Sequence, residues 1–196
     1  MTLKKDINKL LFLFLSSHLI LWTVIPSISN ENLPLDTIEA LAWGSNLEWG
    51  YSKHPPFSAF AVEIFYKIFG NQDWAFYLLS QIFIIIGFLF IFKLTEEFTN
   101  DRFLALISIL LLEGIFFYNF TTPEFNVNIS QIPFWAASLY FSYRCTKFNK
   151  ISDYIFLGIV LGFGILSKYL FIYLAIGVKF LFLYLLFKKE KISFKN

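Results

Sequence analysis

Apolar residues along this chain run in blocks too long for a water-soluble fold, and two kinds of polar stretch separate them: short basic ones, and one acidic, aromatic and proline-containing island. The first block, Leu10 to about Ile28, is long enough to cross roughly 30 Å of hydrocarbon as a helix, and His18 is the titratable residue inside it. Blocks at Trp74 to about Phe92, Phe103 to Phe120, Ile129 to Tyr143, Tyr154 to Leu166 and Leu170 to Phe187 complete a prediction of about six spans. The fourth and fifth are short, which implies local thinning of the bilayer or burial against neighbours, and the last two also fit one long tilted helix. The break at Ser167-Lys168-Tyr169 favours two helices. Lys4-Lys5, the first apolar run and Ser27-Ile28-Ser29 imitate a secretory signal, but the run exceeds a usual signal core and further spans follow it.

Composition agrees with an all-α, polytopic helical membrane protein. Of 196 residues 57% are hydrophobic, 15% are charged and 27 are phenylalanine, with a mean hydropathy of +0.63. One soluble core has no room for so much aromatic surface, whereas lipid accepts it on every side of a helix. The net charge of +2 is too small and dispersed for a nucleic-acid footprint. Cys145 stands alone, so no disulfide can form within the chain and no cysteine metal cluster is possible. The basic residues report topology instead. Lys4, Lys5 and Lys9 precede the first span, Lys93 and Arg102 flank the next connection, Arg144, Lys147 and Lys150 fill another, and Lys188, Lys189, Lys191 and Lys195 close the chain. The positive-inside rule makes these regions cytoplasmic, with both termini inside, and places residues 29–73, the Phe120 to Asn128 loop and Lys168 outside. The candidate chemistry therefore shares one face. No second domain, repeat or low-complexity linker divides the chain, and residues 1–196 read as a single transmembrane domain.

The acidic island runs from Pro34 to Pro56. Asn32-Leu33-Pro34-Leu35-Asp36 reads as a helix entrance, and Ile38, Leu41, Ala42 and Leu47 give the apolar spacing of a short helix on the membrane surface that ends by Gly50. Asp36 and Glu39 stand on one face of it. They fit two roles: a paired carboxylate site, or a variant capping box in which Asp36 is the N-cap and Glu39 its N3 partner. After the turn Gly50-Tyr51-Ser52-Lys53-His54-Pro55-Pro56, residues Phe57 to Phe69 form a second amphipathic segment. The prolines fix the backbone around Lys53 and His54, which suit a bound anion or simple headgroup contact equally. Glu113, in the third span, fits either a functional carboxylate or a hydrogen bond to Tyr118 or Asn119. Asn126 and Asn128 suit helix caps or bridges, and Lys168 fits either a site or a snorkelling side chain.

Asp36-x-x-Glu39, Trp43, then Gly50-Tyr51 and a basic residue before Pro55-Pro56 resemble the first external loop of bacterial polyprenyl-phosphate-dependent glycosyltransferases. These are the relatives of protein O-mannosyltransferases and lipid A aminoarabinose transferases, families 39 and 83, with the GT-C membrane fold. Leu112-Glu113, Tyr118-Asn119, Thr122-Pro123-Glu124-Phe125-Asn126-Val127-Asn128 and Gly162 to Tyr169 are similar to later segments of that family. The likeness covers the chain as the N-terminal part of a longer protein with a partial GT-C fold. Thr37 departs from the pattern, since many relatives carry a second acidic residue there.

The resemblance implies transfer of a sugar, with inversion, from a polyprenyl-phosphate-linked donor to a hydroxyl of a glycolipid or other envelope glycan, such as lipopolysaccharide, at the outer face of a bacterial inner membrane. Asp36 would be the general base, with Glu39 orienting the acceptor. Lys53, His54 and Lys168, with Tyr51, would receive the lipid phosphate as its charge develops. No cofactor is implied; Asp36 and Glu39 are the hard oxygen ligands to which Mg or Mn would bind, if either did. Two rival readings stand beside this one: a non-catalytic polytopic protein, such as a transporter component or assembly subunit, whose acidic loop only caps a helix, and a truncated, inactive transferase.

Overall fold

In the computed structural model, which describes residues 2–193, α1 (Thr2–Ser29), α2 (Leu35–Gly44), α3 (Phe57–Phe69), α4 (Asp73–Thr99), α5 (Arg102–Glu113), α6 (Val127–Phe148), α7 (Ile151–Ser167) and α8 (Ile172–Ser193) follow one another with no strand among the described residues. The protein is a helical membrane protein. Asp6–Ser29, Asp73–Thr99 and Tyr169–Lys188 are the stretches long and apolar enough to cross a bilayer by themselves; α7 is apolar but shorter. α4 is the spine, packed against α1, α5 and α6, with α7 beyond α6. Phe76, Ile84 and Phe88 of α4 interlock there with Ile109, Phe125 and Ile129, all buried. The α4–α6 approach depends on Gly87, where a Cβ would come within 2.6 Å of Ile132 Cγ2.

The third expected span differs from expectation. α5 has 12 residues, about 18 Å of helix, and stops at Glu113 rather than continuing to Phe120; a single 3-10 turn, Phe116–Tyr118, follows. The apolar run of the sequence continues toward Phe120, but the helix is capped at Gly114, and Glu113, half-buried, joins a polar layer with α1 and α4. His18 Nδ1 lies 2.7 Å from Glu113 Oε2, Trp22 Nε1 donates to Glu113 Oε1 at 3.2 Å, and His18 Nε2 meets Gln81 Oε1 at 3.0 Å. Gln81 Nε2 donates onward to Thr122 Oγ1 at 3.1 Å, and the Ser80 hydroxyl bonds the Thr122 carbonyl. Because the Gln81 amide gives its N–H to Thr122, its oxygen faces His18 Nε2, which is the donor of that pair. Glu113 thus finds its side-chain partners in α1, not in the expected Tyr118 or Asn119; Asn119 instead donates to the Glu113 backbone carbonyl. This layer anchors the α5–α6 connector, residues 114–126, against α1 and α4.

Two of the basic residues, Arg102 and Arg144, meet at one pole around the end of α4. Arg102 pairs with Glu96 and bonds Asn8 near the start of α1, while Arg144 pairs with Glu97 at 2.6 Å and Asp153 at 3.0 Å. At the opposite pole lie α2, α3, the α5–α6 connector and the α7–α8 junction. That junction settles the alternative of one long helix: Lys168 is extended, Tyr169–Phe171 form a 3-10 turn, and a Cβ on Gly164 would come within 2.3 Å of the buried Phe171 ring.

α2 and α3 form the outer layer of that pole. Pro56 and Gly70 delimit α3 where the sequence predicts it, and its Phe57 ring meets Phe83, Phe134 and Phe163 edge-on, tying α3 to α4, α6 and α7. α2 ends at Gly44, earlier than the expected Gly50, where a Cβ would lie 2.8 Å from the Ala59 carbonyl of α3.

Candidate active site

The N-terminus of α2 is held by another part of the chain. Pro34 is its N-cap and supplies no side-chain hydrogen bond, so the capping box expected from Asp36 and Glu39 does not form. Pro34 occupies the N-cap position expected of Asp36, which is instead the second residue of the helix, in its first turn. Glu124, from the α5–α6 connector, does the capping: its Oε1 accepts the Asp36 backbone N–H at 3.1 Å. Beside it the Thr37 hydroxyl, wholly buried, donates to the Phe125 carbonyl at 3.2 Å. Position 37 therefore faces the connector, and its side chain serves packing rather than the crevice.

Relieved of capping, the Asp36 carboxylate turns into a crevice lined also by Glu39, Ala40, Trp43, His54, Ser58, Asn126 and Val127. Asn126 Nδ2 donates to Asp36 Oδ2 at 3.2 Å. The crevice holds about 10 Å³, the room of a single water or hydroxyl group rather than of a sugar ring. A larger groove of about 300 Å³ lies elsewhere, between α4, the end of α5 and α6; Phe88, Ile91, Trp135 and Leu139 make it mostly apolar, with Asn128 and Gln131 as its polar edge. Its lining lacks a carboxylate or a cation, whereas the smaller crevice carries Asp36, Glu39 and His54.

Glu39 and Lys53 are brought together: Lys53 Nζ reaches both carboxylate oxygens of Glu39, at 3.0 and 3.2 Å. That hydrogen bond raises the Lys53 pKa above its ordinary value; desolvation opposes it, and the nearby charges of Glu39 and then Asp36 add to the rise. Lys53 is a standing cation. His54 is different, because burial, then the Lys53 charge, and more weakly Lys168, lower its pKa below the usual 6.5 despite Glu39 and Asp36. Its imidazole is neutral near pH 7 and packs edge-on against Trp43, with ring centres 5.7 Å apart. Tyr51 stacks on the other side of the Trp43 ring, and its hydroxyl lies 2.9 Å from the Trp43 and Asn46 carbonyls and accepts the Glu48 N–H at 3.3 Å. Tyr51 thus braces the turn. Lys168 bonds the Asn128 side-chain oxygen at the start of α6.

Of the residues the sequence singles out, Asp36, Glu39 and His54 line one crevice, with Lys53 at its edge through Glu39 and Lys168 near enough to act on His54. With Glu39 engaged by Lys53, Asp36 and Glu39 offer no ligand cluster, and no group of three or more His, Cys, Asp or Glu suited to a metal ion occurs among the described residues. Sequence reasoning missed Glu124 and the Asp36 contact of Asn126. The available signal was Asn126 before an apolar run, a helix N-cap pattern, and its Oδ1 does accept the Asn128 and Ile129 N–H groups at 2.9 and 3.2 Å.

Comparison with known proteins gives one positive result. A family model described as dolichyl-phosphate-mannose-protein mannosyltransferase matches residues 53–196, so Lys53, His54, Glu124, Asn126 and Lys168 fall inside the match and Asp36 and Glu39 just before it. No curated protein and no solved structure matches the chain. The chain belongs to this family of membrane glycosyltransferases that use a lipid-linked sugar.

Proposed function

From this membership, we propose that the protein transfers a sugar from a polyprenyl phosphate to an acceptor hydroxyl at the pole carrying α2 and α3, with inversion, and that Asp36 is the general base. The observation that carries the reading is a carboxylate released from helix capping by Glu124 and aimed into a crevice that admits a hydroxyl but no ring. The acceptor oxygen attacks the anomeric carbon while its proton passes to Asp36, and the bond from that carbon to the phosphate oxygen breaks with its electrons going to the phosphate. The leaving phosphate then needs positive charge rather than an acid. Lys53 and Lys168 supply it, and neutral His54 contributes a hydrogen bond. Glu39 holds Lys53 in place instead of touching the acceptor. The apolar groove bordered by Asn128, the partner of Lys168, offers the isoprenoid chain a course into the bilayer. By the positive-inside rule this pole faces away from the cytoplasm, on the periplasmic side of a bacterial inner membrane, where the acceptor is an envelope glycan such as lipopolysaccharide.

The test compares envelope glycolipids by mass spectrometry in cells carrying the wild-type gene, a deletion, and Asp36→Asn. The glycan lost on deletion is also lost in Asp36→Asn while membrane levels of the variant stay normal. A variant that still makes the glycan removes Asp36 from the chemistry. If the loss follows a fall in protein level instead, the non-catalytic reading gains.

A further inference from the structure

We propose that Asn126 is the positioning residue of Asp36, an inference that rests on the general-base reading and deepens it. The side-chain amide of Asn126 is committed at both ends. Its Oδ1 accepts two backbone N–H groups at the head of α6, at 2.9 and 3.2 Å, and its Nδ2 donates to Asp36 Oδ2 at 3.2 Å. The first pair fixes which way the amide lies, because a flipped group would set its NH₂ against two N–H donors. The donor therefore points at Asp36 by the same geometry that starts α6. α6 is a long helix packed on α4 and α7, so Asp36 is referenced to the membrane bundle and not only to its own ten-residue helix.

This fixes which oxygen does the work. Oδ2 is held by Asn126, and among the described residues no side-chain group bonds Oδ1, which is left for the proton of the acceptor. The charged and titratable groups around Asp36 are Glu39 on its own helix, Lys53 and His54 before α3, Glu124 in the connector and Lys168 after α7. Each of the others has a second duty or a partner of its own: Glu39 holds Lys53, Lys168 bonds Asn128, and Glu124 binds the Asp36 backbone. Among the described residues, Asn126 makes the one side-chain hydrogen bond to the Asp36 carboxylate.

Two substitutions separate the donor from the cap, since serine and aspartate cap helices about as well as asparagine. Asn126→Ser keeps a capping oxygen but withdraws the amide donor. Asn126→Asp keeps the oxygen and puts a negative charge beside Asp36, which favours the protonated base. Both are measured in full-length protein in native membranes, following formation of the glycan that the deletion strain lacks, with hydrogen exchange at the first turn of α6 as the check on the cap. Asn126→Ser is expected to slow transfer about tenfold at saturating donor without changing KM or α6 protection, the scale of one lost hydrogen bond to a charged group. Asn126→Asp is expected to move the acid limb of the pH–rate profile to higher pH. Wild-type turnover in Asn126→Ser, a slowing that accompanies lost α6 protection, or an unmoved acid limb in Asn126→Asp would each overturn the inference. Should Asp36→Asn abolish the glycan while Asn126→Ser leaves it unchanged, only this inference falls; should Asp36→Asn retain it, the general-base reading fails.

Discussion

Removing the carboxylate of Glu124 tests whether α2 is started from outside itself. α2 is 10 residues long, too short to be stable alone, and Pro34 gives it no side-chain cap. The bond from the Asp36 N–H to Glu124 Oε1, at 3.1 Å, is therefore the cap, and it also places a negative charge at the positive end of the helix. Loss of a cap costs about 0.5–2 kcal/mol. The charge at the helix end accounts for about 0.3–1 kcal/mol of such an interaction. Glu124→Ala loses both, so local opening of the first turn of α2 should rise by a factor of about 5–30 for a cost of 1–2 kcal/mol. Glu124→Gln keeps the oxygen and loses only the charge, a rise of about twofold to fivefold. Hydrogen exchange by mass spectrometry on peptides covering residues 33–44 reads the ratio directly, with α4 peptides as the unchanged control. The reasoning is refuted if Glu124→Ala leaves α2 exchange unaltered. It is refuted equally if Gln is as damaging as Ala, because the retained oxygen would then be irrelevant.

Further outcomes follow from the junction and from His54. Gly164→Ala places a methyl against the ring of Phe171, which is fully buried, so the thermal midpoint in detergent should fall as expected for about 1–3 kcal/mol of overpacking; an unchanged midpoint would show that the junction yields. His54 holds its proton less tightly in the folded protein than the ordinary 6.5 of an unfolded chain, so the unfolded state binds more protons below that pH and stability falls as pH drops through this range. Unfolding midpoints at pH 7.5 and 5.5 should accordingly differ less in His54→Gln than in wild type, and an equal difference would remove His54 as the cause.

Local signals were read correctly where the chain carries its own punctuation. Pro55-Pro56 and Gly70 bracket α3, and the polar break at Ser167-Lys168 divides α7 from α8, since proline, glycine and a charged residue act on the backbone where they stand. α5 is shorter than its apolar run suggests: Gly114 caps it, Asn119 takes up the Glu113 carbonyl, and the Glu113 side chain is engaged by His18, 95 residues away. The candidate site divides in the same way. Asp36, Glu39, Lys53 and His54 were visible as a cluster because one short loop carries them all. Glu124 and Asn126 were not, since they reach Asp36 across 88 and 90 residues and a local pattern holds no record of such a contact. Asp36 also satisfies every local criterion for an N-cap, and only the connector shows why it is spared that duty.

The polar layer formed by His18, Gln81 and Glu113 constrains how the chain is assembled during synthesis. An acidic side chain entering lipid without a partner costs a few kcal/mol, and α5, at 12 residues, has little apolar length with which to offset it. α1 and α4 emerge from the ribosome first and present the imidazole and the amide before α5 is made. The third hydrophobic segment can then leave the insertion machinery docked on its predecessors, with its acid already matched, instead of as an independent span.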